Sequence, residues 1–303
     1  MDPSTALTVL GGAVGSAKLL EKLLGPTADY LGGGAREWTR RGVSNLARIF
    51  SSAHEVLGAE VEKKGEVPPR VLKEILSEGP FCEDEISTKY FGGILAASRS
   101  PDKLDDRGAI IAQQISRLST FQVRAHYLFY NSFRRAYLGS PLHIETTSER
   151  SKLHLYVHAS TFGKAVMPLY DDAQPIVDHT VSDHVMFGLR REELVEGSFS
   201  FGSRDFLQKY YPAAPGPGFL ISPSPLGAEL YLWAHGKGTI PVARFFDPTL
   251  KLPEISVNTP LEGVLATGAC QCKECLAKER KSEREAKRRS PNKGLKRTPD
   301  GAA

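Results

Sequence analysis

A Gly-Pro pair at Gly25–Pro26 ends any helix before it, and Gly32, Gly33 and Gly34 interrupt the chain again. Past those glycines Trp38, Val43, Leu46, Ile49, Phe50, Ala53 and Leu57 recur at spacings of three to five. That period suits one buried face of a helix. Arg36, Arg40, Arg41 and Arg48 fall mostly between them, as a basic stripe on the other side. The spacing predicts a helix from about Ala35 to Leu57 that serves as the structural spine. Its apolar face should pack against helices beginning near Val71 and Glu83, and its arginines form a candidate interaction surface.

Around this stretch the chain reads as mainly α. Residues 6–24 carry an apolar stripe of Leu7, Leu10, Val14, Ala17, Leu20 and Leu24, with Gly11, Gly12 and Gly15 in their first half. Each glycine costs a helix about 1 kcal/mol against alanine, so this helix needs a packing partner, a second copy or a membrane surface. Pro68-Pro69 restarts the chain after a polar hinge, and Pro69 suits a first helical turn. Val71, Leu72, Ile75 and Leu76 follow as a helix face closed by Gly79-Pro80. Glu83 to Ala97 predicts another helix with Ile86, Tyr90, Ile94 and Leu95 inward, and Asp105 to Leu118 one with Ile110, Ile111, Ile115 and Leu118 inward. Ser119, with Gln122 three residues on, reads as a capping box opening a helix through Tyr137. Its aromatic stripe, Phe121, Tyr127, Phe129, Tyr130, Phe133 and Tyr137, is read as core and not as a stacking platform.

The texture changes after Pro141. Lys152 to His158 alternates apolar and polar residues, a strand signal. Asp183 to Glu196 predicts a helix closed by Gly197, then a short strand at Ser198 to Phe201 and a helical turn or two within Ser203 to Tyr211. Pro212 to Gly218 must be a loop, Phe219-Leu220-Ile221 is a short strand, and Ser224 caps a helix with Pro225 at its first position, running to about His235. Helix, strand, loop, strand and helix in this order predict a winged-helix-like unit. Pro241, Pro248, Pro253 and Pro260 make residues 239–267 an extended wrap. The expected organisation is therefore a multi-helix body with a small winged-helix-like α+β part, strands confined to about 150–260, and a disordered basic C-terminal tail. The boundaries fall at residues 1–66, 67–141, 142–268 and 269–303.

Charge is unevenly placed. Lys273 to Arg297 holds 11 Lys/Arg and 4 Asp/Glu, net +7, while residues 1–272 carry 28 positive and 30 negative groups. The body is close to neutral and the basicity belongs to the tail, where Lys278, Arg280, Lys281, Arg284, Lys287, Arg288 and Arg289 are candidate contacts for nucleic acid or anionic lipid. Few apolar residues accompany them, so any helix there is solvated despite favourable pairs such as Glu283–Lys287. Four cysteines with three crowded near the tail imply no disulfide framework, hence a reducing compartment. Residues 1–17 lack a basic n-region, and the uncharged run Pro3 to Ala17 is shorter than the roughly 20 residues needed to span a bilayer. The expected location is cytoplasmic, with peripheral contact to the inner membrane as an option.

No catalytic motif is present: there is no P-loop, GxSxG, HExxH or kinase set. Cys270, Cys272 and Cys275 could fill three positions of a zinc site, but no local fourth ligand follows, and no stoichiometric metal is expected. His154 and His158 would share one strand face without an obvious third ligand, and His179 and His184 are likewise assigned no metal role. Asp105-Asp106 and Asp171-Asp172 read as surface turns.

The order of GPTADYLGGGAREWTRRGVSNLARIF, then VPPRVLKEIL, then GGILAAS, and finally LISPSPLGAELY resembles the Abi-alpha family of bacterial proteins, a family linked by name to abortive infection. The resemblance covers about Thr5 to Gly236 and is densest over Gly25 to Leu76. Its carriers are Gly25-Pro26, Arg48-Ile49, Pro68 to Leu72, and Leu226-Gly227. Where relatives tend to show Trp-Ala before Leu-Leu-Ala, this chain has Phe91-Gly92-Gly93-Ile94-Leu95-Ala96, and the Arg-Asn pair of the basic helix appears as Ser44-Asn45. The family brings no catalytic residues. It implies a role in phage defence, through one of two mechanisms. One is a non-enzymatic effector working by a protein partner, self-association or the inner-membrane surface. The other is a nucleic-acid-binding sensor using the winged-helix-like part and the tail.

Overall fold

The computed structural model describes residues 40–102, 104–167, 179–255 and 262–268, without the side chains of Arg40 and Arg41. The helix expected over residues 6–24, Arg36, Trp38, the pair Asp171-Asp172, the cysteines Cys270, Cys272 and Cys275, and the tail cations from Lys278 to Arg289 lie outside these residues. The described residues are mainly helical with one small antiparallel sheet.

The first helix, α1, spans Arg40–Leu57. Leu46, Ile49, Phe50 and Ala53 are fully buried, and Ser44, Arg48, Ser51 and Glu55 face outward. The buried face packs on α3 (Glu85–Ala97) and on the short 3-10 turn Gly79–Phe81 that ends α2 (Pro69–Glu78). Contact with the region after Val71 therefore runs mainly through that turn. Asp84 caps α3 by accepting from the Ser87 amide at 3.0 Å, and its carboxylate also holds Arg124 at 2.6 Å.

The helices that other elements surround are α3 and α5 (Thr120–Ala136), not α1. The capping box of α5 is formed as the Ser119/Gln122 spacing requires, with both reciprocal bonds in place. Tyr127, Phe129, Tyr130 and Phe133 are all fully buried, so the aromatic stripe is core. α1 keeps a polar outer stripe and so stays peripheral, whereas α5 has no continuous polar face between its ends. Between α3 and α5 lies α4 (Arg107–Ser116), which packs on α2. Ile111 and Ile115 are inward as the period requires, but Ile110 is 55% exposed; Ala109 and Ala112 take the inner positions instead.

After the short α6 (Thr147–Arg150) comes β1 (Leu155–His158), followed by α7 (Ala159–Val166) and α8 (His179–Arg191). The spacing places this helix at Asp183 to Glu196; it begins earlier and ends sooner, at Arg191. Glu193 at φ 57° turns the chain out through the left-handed region just after it. Then follow β2 (Ser200–Gly202), α9 (Arg204–Leu207), β3 (Gly218–Ile221), α10 (Pro225–Ala234) and β4 (Val264–Ala266). Strand content thus extends slightly beyond residue 260. Ser224 caps α10 through the Gly227 amide at 3.0 Å, with Pro225 in the first turn.

The sheet order is β2-β3-β1-β4, antiparallel throughout. β1 pairs with β3 from Leu155↔Ile221 to His158↔Gly218. Alternation along the strands assigns the two faces. Leu155, Val157, Phe219 and Ile221 join the helical core, while Tyr156 and Leu220 meet Leu207 and Ala214 in a small separate cluster. The main core runs from Leu46 to Ile255 without a break at residues 66/67 or 141/142.

The proline-spaced segment after α10 wraps the body, burying Phe245, Phe246, Leu250 and Ile255. Arg134 of α5 clamps it by donating to the carbonyls of Phe245, Asp247 and Leu250. The Ile255 amide donates to Tyr127 Oη at 3.1 Å, and Lys89 Nζ donates to the Ile255 carbonyl at 2.7 Å.

Candidate interaction surface

The histidines are where chemistry would be sought first. His154 and Ser222 continue the β1–β3 register by one pair, so their side chains meet across the strand ends. His154 Nε2–H donates to the Ser151 carbonyl at 2.9 Å, which leaves the lone pair on Nδ1 to accept from Ser222 Oγ–H at 2.7 Å. Burial also holds His154 below its ordinary range, so the ring is neutral. A nucleophile beside an oriented base has this form. Two features separate it from an acyl-transfer site. Ser222 is only 2% exposed, and the next residue is Pro223, which has no N–H to stabilise an oxyanion. The pair is a polar clasp at the end of the sheet.

His158 turns to a different task. Its Nδ1 accepts from the Ser160 amide at 3.2 Å and caps α7. His179 and His184 are exposed on α8, and His184 Nε2 meets Ser119 Oγ at 2.8 Å. Among the described residues no group of three or more His, Cys, Asp or Glu is placed to hold a metal ion.

His126 and His235 sit in the aromatic centre. His126 bridges three helices: Nε2–H donates to the Gly227 carbonyl at 3.0 Å and Nδ1 accepts from Tyr90 Oη–H at 2.8 Å. Burial lowers it to about 3. His235 donates from Nδ1 to the Tyr231 carbonyl at 2.7 Å, and burial lowers it to about 4. Both are neutral structural groups. Burial raises the Cys82 thiol to about 11, so it is no thiolate nucleophile. Asp105 is held by Arg107 at 2.6 Å and Asp106 by Arg70 at 3.0 Å, as paired groups of a surface turn.

Of the four arginines of the proposed basic stripe, Arg48 has a described side chain. It lies on the exposed face of α1, where Nη1 donates to the Glu83 carbonyl at 3.2 Å. Asn45, one turn earlier, is buried and donates to the Pro80 carbonyl at 2.9 Å, tying α1 to the turn after α2.

A second surface feature was not anticipated from the sequence. Phe187 on α8 is 54% exposed, and its ring meets Phe199 and Phe201 edge-on at 5.8 and 6.2 Å. Phe199 and Phe201 stack on one another, Phe201 stacks on Phe219 at 5.6 Å, and Phe219 on Phe162 at 4.2 Å. Phe162 in turn stacks on Phe129 of α5. A continuous series of rings therefore runs from solvent to the central helix, which makes the outer rings a firmly supported apolar surface. The sequence did carry a signal. Val185, Met186, Phe187 and Leu189 are four large apolar residues among five, and one helix face cannot bury them all. Phe201 lies in the edge strand β2 and Phe199 directly precedes it, two residues apart as one strand face requires.

Among the described residues no helix is long and apolar enough to cross a membrane. No protein-family model matches the chain, and neither a curated protein nor a solved structure does.

Proposed function

We propose that this protein is a non-enzymatic interaction effector of bacterial phage defence, of the Abi-alpha type that its sequence resembles. The observation that carries the interaction class is the outward ring cluster of Phe187, Phe199 and Phe201, backed by stacked rings down to α5. Apolar residues held together at the surface mark contact sites more often than single ones do. The polar groups with chemical potential are spent on structure: His126, His154, His158 and Ser222 each have their partners within the fold. The phage-defence role itself rests on the resemblance alone. In this reading the partner is a protein, a second copy or the inner-membrane surface, with Arg36, Arg40, Arg41 and Arg48 contributing charge.

The alternative, a winged-helix-like nucleic-acid binder, is less well supported. Of the two helices flanking the strands, α10 has no free face for a groove, since Gly227, Ala228, Leu230, Tyr231, Leu232, Trp233 and Ala234 are all buried. That reading would use the exposed face of α8 and the tail cations from Lys278 to Arg289.

The test is an infection assay in a sensitive host expressing the full chain, a form lacking residues 1–24, and the variants Phe187→Ser and Arg48→Glu. Protection by the full chain, lost in Phe187→Ser although that variant folds, is the expected result. No protection by the full chain would remove the defence role. Full protection by Phe187→Ser would remove the ring cluster as the working surface.

A further inference from the structure

We draw no further inference here: the strongest candidate, the surface ring cluster of exposed Phe187 with half-buried Phe199 and Phe201 beside the β2 edge of the sheet, belongs to the surface already described, and nothing in the structure shows what covers it.

Discussion

Replacing Gly93 by alanine should destabilise the protein, although the same change at an open helical site would stabilise it. α3 is held between two other helices, and its adjacent glycines face one each. A Cβ on Gly92 would lie 2.6 Å from Ser52 Cβ and 3.0 Å from the Ile49 carbonyl oxygen of α1. A Cβ on Gly93 would lie 1.8 Å from the Ala234 carbonyl oxygen of α10 and 2.3 Å from its carbon. Carbon atoms pack at roughly 3.5–4.0 Å, and the obstacle at Gly93 is backbone, which no rotamer change can move. α10 would have to back away, taking with it the buried Leu230, Tyr231 and Trp233 and the Gly227 carbonyl that His126 uses. Alanine gains about 1 kcal/mol over glycine in a helix interior. Forcing a methyl into a packed site costs about 1–3 kcal/mol and more where backbone must shift. The net for Gly93→Ala is a loss of about 2 kcal/mol, which for a chain of this size lowers Tm by roughly 3–5 °C. Thermal melts followed by circular dichroism, wild type against Gly93→Ala and Gly92→Ala, measure it. A Tm for Gly93→Ala at or above wild type would refute the close crossing of α3 and α10.

Phe50→Ala should cost about 3–5 kcal/mol, as for other fully buried phenylalanines, while Arg48→Ala should stay within about 0.5 kcal/mol; chemical denaturation of both variants checks this, and the reverse order would mean the faces of α1 are misassigned. Arg134→Met should leave the carbonyls of Phe245, Asp247 and Leu250 without their shared donor. At about 1–3 kcal/mol for a buried group left unpaired, the wrap should loosen and residues 245–255 become the first site of limited proteolysis; an unchanged cleavage pattern would show that the clamp is dispensable. His126 and His235 have folded pKa values of about 3 and about 4, below the ordinary 6.5. The unfolded chain therefore takes up protons first, and stability should fall as pH drops below about 6.5 towards 4. His235→Gln should flatten that fall in melts at graded pH, and an identical slope would rule out His235 as a contributor. Removing residues 277–303 should leave Tm nearly unchanged, since that segment has few apolar side chains to bury; a drop of many degrees would show that the tail is docked.

Much of the local structure is legible from residue type and spacing because it is decided within a few residues. The Ser119/Gln122 capping box, the Ser224–Pro225 helix start, Pro69 in the first turn of α2 and the inward set Leu46, Ile49, Phe50 and Ala53 all obey rules that span one or two helical turns. The same local reading shows that the aromatic stripe of α5 lies on one face. It cannot rank helices by depth, because depth depends on which other faces arrive. The amphipathicity of α1 marks it as a spine, yet α3, on which it packs, and α5 are the helices that the others enclose. The partners of β1 are equally non-local, since its neighbours come from residues 218–221 and 264–266. Gly92, Gly93 and Gly227 stand in the sequence as departures from helix preference, and their reason appears only where Ser52, the Ala234 backbone and the Tyr130 hydroxyl occupy the space a side chain would need. The ring cluster at Phe187 follows the same logic. Sequence composition required some apolar residue on α8 to face outward, and tertiary packing decided that it would be Phe187, because Phe199 and Phe201 meet it there, supported by stacked rings down to the core.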